Sequence, residues 1–555
     1  MQGTKGPVVT DIVLVGGGHS HVAVLKRFGM QPMDGVRLTL ITRDIQTPYS
    51  GMLPGHVAGH YAFDESHIDL RPLALFAGAR LHRDEMIGLD AAARQVLLQR
   101  RPPVRYDLLS IDIGSAPSRV GIDGAEHVLP VKPVDQFLIK WQHVRARARA
   151  APAPFRVVVV GAGAGGVELT LSLQHRLRTD GVTAEFQLVS DTPVILPTHN
   201  RGVRRRFERI LRERAVPVHV GHKVVQATPT QALLDDGRTL AADVIVWVTN
   251  AAAPAWIAQT GLATDAAGFI AVNDCLQSTS HSDVFAAGDI ATIVNHPRPK
   301  SGVVAVRSGP PLTHNLRRAA AGRPVKPFRP QRSFLALIGT GDRYAVASRR
   351  LLALEGAWVW RLKEWIDRRW MRGYQELPPM APESAAAHGG GDARPDISAI
   401  AMRCGGCGSK VGSQVLARAL ARLPANTRDD ILVGLTDPDD AAVVRVPAGK
   451  VMVHTVDFFR ALLDDPYLFG AIAANHSLSD IYAMGAEPQS ALAIATLPLA
   501  AESKMEQDLY QLLRGATAML DDAGAALVGG HTSEGAELAF GLSVNGLAAP
   551  DELLR

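Results

Sequence analysis

Residues 156–168 read RVVVVGAGAGGVE. Four valines run straight into Gly161, Gly163, Gly165 and Gly166, which predicts a buried parallel strand, a tight glycine turn and the start of a helix. Gly161 permits the turn and Gly163 lets backbone N–H groups approach a pyrophosphate. Gly166 lets the helix pack closely on the strand, with its N-terminus facing the anion. Upstream, residues 11–25, DIVLVGGGHSHVAVL, repeat this plan with Gly16 and Gly18 in place but His21 where the third glycine belongs. Its second strand, residues 36–41, is followed by Thr42-Arg43-Asp44, so the acid that ordinarily holds a ribose hydroxyl comes two positions late.

At 555 residues the chain is too long for one core, and three or four domains are expected. Hydrophobic residues make up 47% and charged residues 20%, a globular balance. No window reaches the ~18 uninterrupted apolar residues of a spanning helix, and MQGTKGPVVTD lacks the layout of a signal peptide, so a cytoplasmic location is expected. Three cysteines, Cys275, Cys404 and Cys407, cannot form a disulfide framework. The net charge of +5 hides an asymmetry: from Met402 onward 11 Lys and Arg face 19 Asp and Glu, so the tail carries −8 and the front +13. A basic front suits anionic cofactors or a membrane surface; no nucleic-acid motif accompanies it.

Residues 106–117, YDLLSIDIGSAP, and 242–254, ADVIVWVTNAAAP, read as apolar strands on either side of the Gly161 unit. The second strand of that unit, residues 186–189, leads into Ser190-Asp191, where Asp191 could accept from an adenosine ribose and so favour NADH. Arg201, Arg204, Arg205 and Arg206 follow, either to serve a 2′-phosphate or as one exposed helix face. Further on, DVFAAGD at 283–289 places Asp289 at a helix start. Two dinucleotide units, the second inserted between pieces of the first, with this late Gly-Asp, resemble the two-dinucleotide-domain flavoproteins. Type II NADH dehydrogenases and sulfide:quinone reductases are the specific match, over roughly residues 8 to 380.

The resemblance implies an α/β fold with two Rossmann-like domains, FAD on Gly16, Gly18 and Asp289, and NAD(P)H on Gly161, Gly163 and Gly166. Glu168 matches a family glutamate near the nicotinamide; its plainer reading is a first-turn acid favouring the helix dipole. The family's disulfide branch keeps a CxxxxC pair beside the flavin, and none stands here. Cys275 is expected as a buried small apolar residue, and electrons are expected to leave to a diffusing acceptor such as a quinone. Residues 300–316, KSGVVAVRSGPPLTHNL, resemble the stretch that closes the flavin site. Residues 356–374, GAWVWRLKEWIDRRWMRGY, interleave four tryptophans with basic residues, which suits a peripheral membrane contact or a helix packing on its own domain or a second subunit.

Residues 377–395, LPPMAPESAAAHGGGDARP, lose all periodicity. The expected organisation is an oxidoreductase module at 8–376 with its NAD(P)H-binding insertion at about 152–255, a linker at 377–397 and a tail module at 398–555. The linker's unfolded span of ~25 Å lets the modules meet without fixed docking.

In the tail, MRCGGCGSKV carries Cys404-x-x-Cys407, short of a complete zinc site and better suited to a redox pair or nucleophile, with Lys410 placed to stabilise a thiolate and pair with phosphoryl oxygens. Asp437, Asp439, Asp440, Asp457 and Asp480 supply hard oxygen ligands for Mg²⁺ bridging phosphates. MRCGGCGSKV, DPDDAAVV, HTVDFF, SLSDIYAMGAEP and VGGHTSE, in that order, resemble the first half of selenide, water dikinase, the selenophosphate synthetase. That resemblance implies a separate α+β domain, with ATP, Mg²⁺ and selenide as reactants. It also implies a homodimer, Cys407 as the catalytic cysteine, Lys410 as the essential lysine, and Asp440, Asp457 and Asp480 as metal-binding acids. Ser409 replaces a second cysteine and His476 stands where many members carry asparagine. The expectation is the N-terminal portion of a two-enzyme fusion with weak or no dikinase turnover. The rival readings are an NADH:quinone or sulfide:quinone oxidoreductase with an inactive tail, and a non-catalytic nucleotide-binding scaffold.

Overall fold

The computed structural model describes residues 7–117, 122–151, 154–248, 251–331, 333–378, 410–424, 428–436 and 439–554. Most of the expected linker, together with Cys404, Cys407, Ser409 and Asp437, lies outside the described residues.

Strand β1 (Thr10–Val15) is buried from Asp11 onward, as a central parallel strand covered on both faces must be. The Gly16 turn leads into helix α1 (His19–Met30), then β2 (Val36–Thr42), β3 (Arg80–Arg83) and β4 (Leu108–Ile111), all parallel in the order β4-β1-β2-β3. A second parallel sheet follows from β5 (Val128–Pro130), β6 (Phe155–Val160), helix α2 (Ala164–Thr179), β7 (Ala184–Ser190), β8 (Val218–Val220) and β9 (Val244–Trp247), in the order β5-β9-β6-β7-β8. Then the chain returns to the first sheet as β10 (Val284–Ala286) beside β4, and helix α3 (Gly302–Ala320) packs across α1. Each sheet builds its own core: Ile12, Leu14, Leu40, Ile111 and Phe285 in the first, Phe137, Trp141, Val157, Leu188 and Phe207 in the second.

An antiparallel ribbon of β11 (Ala336–Gly339), β12 (Ala345–Arg349) and β13 (Leu352–Gly356) leads into helix α4 (Ala357–Gln375), the tryptophan-rich segment. The two readings of this helix divide its rings between them. Trp360 is buried and stacks on Tyr61, and Trp370 stacks on Tyr49 at 4.2 Å, so both pack on their own module. Trp358 and Trp365 are each 53% exposed beside exposed Leu362 and Ile366.

The tail comprises α5 (Ser413–Leu420), β14 (Val451–Arg460), α6 (Pro466–Ala483), β15 (Glu487–Pro498), α7 (Glu502–Asp522), β16 (Ala526–Gly535) and β17 (Ala539–Ala548). Its mixed sheet runs β14-β17-β15-β16, and α6 and α7 pack together against it. Gly470 and Gly515 let these helices touch backbone to backbone: a Cβ on either would lie 1.9 Å from the carbonyl oxygen of Leu512 or Tyr467. The two modules are docked, contrary to the expectation of a tether without fixed contact. The backbone N–H of Ala501 donates to Val8 O at 3.0 Å, and Arg37 and Arg80 both reach Asp508 on α7. Complementary charge selects this arrangement.

Gly515→Leu has no space to enter without separating α6 from α7, a loss of ~3 kcal/mol or more. Thermal denaturation should show the tail unfolding earlier, and an unchanged melting profile would contradict the close helix contact.

Candidate functional site

At the head of the first sheet the turn is built as its glycines require. Gly16 has φ +94°, and a Cβ there would meet the Asp112 carbonyl at 2.3 Å. His21, out of place in the sequence pattern, is fully buried and ties the turn down. Its Nδ1 lies 2.7 Å from Gly16 O, so that nitrogen donates and Nε2 is left to accept from Ser110 Oγ at 2.8 Å. Burial holds this imidazole down to about 4, against the opposing bond to Gly16, so it stays neutral.

Asp112, just past β4, drew no attention in the sequence and is central here. Gly18 N donates to its carbonyl oxygen at 3.2 Å, and Ser20 and His21 N donate to its Oδ2 at 2.8 and 3.3 Å. Burial raises its carboxyl to about 7. The signal available was a lone Asp after an apolar strand and before Gly114, indistinguishable from a turn residue. Asp289 sits at the neighbouring strand end, 2.7 Å from Lys132 Nζ and 3.2 Å from Ser115 Oγ. At the start of α3, Ser301 Oγ is enclosed without a hydrogen-bond partner, and Ser50 Oγ lies where a Cβ on Gly302 would go. An orphaned hydroxyl at an uncapped helix N-terminus, beside a glycine turn at the C-terminal ends of parallel strands, fits an anionic dinucleotide.

In the second sheet Gly161 has φ +114°, and a Cβ on Gly166 would lie 1.7 Å from Gly161 O. Gly163 and Gly165 face open space at the N-terminus of α2, which has no side-chain cap: a cradle a Cβ would intrude upon. Asp191 is exposed just past β7. Arg204 donates to His199 O and Pro197 O, and Arg206 to Gly202 O, while Arg201 and Arg205 are exposed on the helix Arg201–Glu213.

Glu168 stands one turn into α2 and not in its first turn as expected; it accepts from Gly339 N at 2.7 Å, and burial raises its carboxyl to about 7 against the pull of Lys363. Buried Lys363 of α4 donates to Gly51 O and to Asp367 Oδ2 at 2.8 Å. Burial and Asp367 push the Tyr49 phenol up. His19, beside the stacked Tyr49 and Trp370 with its ring centroid 5.5 Å from each, is held down to about 4 by burial. Loop 49–51, the helix of the second cradle, the ribbon and α4 therefore meet at one polar cluster, which the sequence offered only as Glu168. Cys275 is half-buried, more accessible than expected, because its turn about Asn273 leaves one side open.

In the tail, Asp457 on β14 keeps Oδ2 buried with no hydrogen-bond partner. Thr455, on the same side of that strand, donates to Asp480 Oδ2 of α6 at 2.7 Å, which brings the two acids to one strand–helix contact. An unpartnered carboxylate oxygen on the strand that Asp480 reaches through Thr455 fits a hard cation, while Asp440, Asp457 and Asp480 do not close into one ligand cluster among the described residues. Asp440 is exposed, its N–H donating to Asp439 Oδ1, and Lys410 is exposed ahead of α5. His476 meets the Phe459 ring edge-on at 4.9 Å.

The family model described as pyridine nucleotide-disulphide oxidoreductase matches residues 10–309, more than half of the chain. This chain belongs to that family. Family membership implies FAD and NAD(P)H as its cofactors. A second model, the N-terminal domain of AIR synthase related protein, matches residues 438–548. Selenide, water dikinase of Nitratidesulfovibrio vulgaris is 47% identical over 151 residues, 27% of this chain and 42% of that one. The enzyme of that name from Clostridioides difficile is 42% identical over the same length. The chain thus spans under half the length of these relatives. Sulfide:quinone oxidoreductase of Aquifex aeolicus shares the fold with TM-score 0.57 at 19% identity, over 68% of this chain and 93% of that one. NDH2 of Plasmodium falciparum, solved with NADH, gives 0.55 at 13%, over 66% and 99%. An oxidoreductase-like module is joined to a selenide, water dikinase-like domain.

Because the Glu168 carboxyl titrates higher folded than unfolded, stability falls as pH rises from about 4.5 through about 7. Glu168→Gln abolishes that titration. Its unfolding free energy relative to the parent, followed by denaturant titration, should climb between pH 5 and 8, by on the order of 3 kcal/mol at the upper end. A difference independent of pH would refute the buried carboxylate.

Proposed function

We propose that the protein is a FAD-dependent NAD(P)H oxidoreductase coupled to selenophosphate synthesis. The observation that carries the reading is the cluster of Glu168, Lys363 and Asp367, where the helix of the second cradle meets the loop and α4 of the first. Bound FAD supplies two-electron redox chemistry there. Gly16, Gly18, Asp289 and Ser301 would hold it, and Gly161, Gly163 and Gly166 would hold the nicotinamide dinucleotide. Asp191, free at its strand end while Arg204 and Arg206 are committed to backbone carbonyls, favours NADH. Glu168, poised near neutrality, holds or releases a proton beside the nicotinamide, and Lys363 fixes the loop through Gly51 O. The domain limits are 8–376, 377–397 and 398–555, with the NAD(P)H unit at about 152–255.

In the tail, Asp440, Asp457 and Asp480 would hold Mg²⁺ and Lys410 the phosphates of ATP, with Cys407 as the catalytic cysteine beside the selenide. The orphaned Oδ2 of Asp457 supports the metal. Val456 and Phe458, 60% and 49% exposed on edge strand β14, support pairing with a second copy. No described helix is long and apolar enough to cross a membrane. Exposed Trp358, Leu362, Trp365 and Ile366, flanked by exposed Arg361 and Arg369, support peripheral contact with an anionic bilayer at its cytoplasmic face.

NADH oxidation measured in parallel with quinones and with oxidised selenium compounds tests the coupling. Selenium-dependent turnover is expected; turnover with quinone alone would leave the tail idle. Co-sedimentation with anionic vesicles tests the surface contact: the parent should bind and W358S/W365S should bind at least tenfold more weakly. Equal recovery of both would remove the membrane from the account.

A further inference from the structure

Helix α7 is unusual among helices at a module surface in burying charge on the side turned away from its own sheet. Lys504, Glu506, Gln507, Asp508 and Gln511 are all buried, and each has a partner in the front module, Glu506 and Gln507 also holding Arg418 and Arg422 of the tail. Asp508 receives Arg80 through two bonds, Nη1 to Oδ1 at 2.8 Å and Nη2 to Oδ2 at 2.9 Å, and Arg37 Nη1 to Oδ2 at 2.6 Å. Arg37 in turn grips Asp11 Oδ1 at 2.6 Å, and Lys504 lies 3.0 Å from Asp11 Oδ2 and bonds Asp107. Arg101 pairs with both oxygens of Asp465, the residue that caps α6 through Tyr467 N and Leu468 N. Gln507 and Gln511 both donate to Pro103 O.

Asp11, Arg37, Arg101, Asp465, Lys504 and Asp508 are withdrawn from solvent and paired, although Arg101 Nε and both ring nitrogens of nearby His82 have no hydrogen-bond partner. The pairing fixes one geometry, because Arg37, Arg80, Arg101 and Lys504 lose partners if the modules separate or slide. Bidentate Arg–carboxylate pairs add directionality that scattered surface charges lack. Asp11, Arg37, Arg80 and Asp107 stand at or just before the N-terminal ends of β1, β2, β3 and β4. The Gly16 cradle is therefore a strand length, about 20 Å, from the contact. On the other side, Asp480 lies about 22 Å along α6 from Asp465. Neither proposed centre touches the interface.

We propose that the two modules are one permanent assembly, locked through α7 onto the strand N-termini of the first sheet, which the connecting peptide does not maintain.

A protease site placed within 385–390 of the full chain tests this. After cleavage the two pieces should co-elute on gel filtration at 0.15 M salt and at 0.5 M salt, since buried pairs are weakly screened. Two separate peaks in the parent would overturn the proposal. Asp508→Arg should weaken reassociation at least 100-fold, and R80D/D508R should restore part of it. Where Asp508→Arg does not fold, Lys504→Ala serves as the milder variant, expected to weaken reassociation about tenfold. Pieces of a folded variant that co-elute as tightly as the parent's would show that this ionic contact is not what joins the modules.

Discussion

Backbone N–H groups at the head of a helix need an acceptor, and in the first dinucleotide turn Asp112 is that acceptor. Its carbonyl and carboxylate oxygens take the N–H groups of Gly18, Ser20 and His21, and the bare backbones of Gly18 and Gly288 make room for it. Through Gly288 it touches the turn carrying Asp289, and through Gly16 the mouth of the cradle. Strand β4, the Gly16 turn, the Asp289 turn and the start of α3 are thereby held in one register. A buried carboxyl raised to about 7 is a destabilising element, and its persistence at the ends of parallel strands marks where the fold places a ligand rather than where it gains stability.

Much of the front module could be read from residue types alone. Valines followed by glycines at fixed spacing dictate strand, turn and helix in β6 and α2, and the inserted order of the two sheets followed from where the apolar runs recur. The first fingerprint was harder. His21 breaks the glycine pattern, yet a buried imidazole bonded to Gly16 O and Ser110 secures by hydrogen bonding what a glycine secures by close approach. The cluster around Lys363 was hidden because its members come from four separate elements. A tryptophan-rich helix does not announce which rings face inward, and α4 turns Trp360 and Trp370 in while leaving Trp358 and Trp365 out.

The contact between modules was the least legible feature. Lys504 and Asp508 are four residues apart on a helix, the spacing of an ordinary solvent-exposed pair. In the structure neither chooses the other: Lys504 turns to Asp11 and Asp107, and Asp508 to Arg37 and Arg80. The tail is acidic and the front basic, and part of that asymmetry lies in their own interface. Family membership, the AIR synthase-type match and this contact together describe an oxidoreductase module and a dikinase-like domain carried on one body.

The front module is built to hold a flavin, and the visible absorption spectrum of the purified chain tests this most directly. A yellow protein with about one equivalent of flavin per chain, bleached by NADH under anaerobic conditions, is the predicted result. A colourless chain that takes up no FAD on reconstitution would contradict the account at its base.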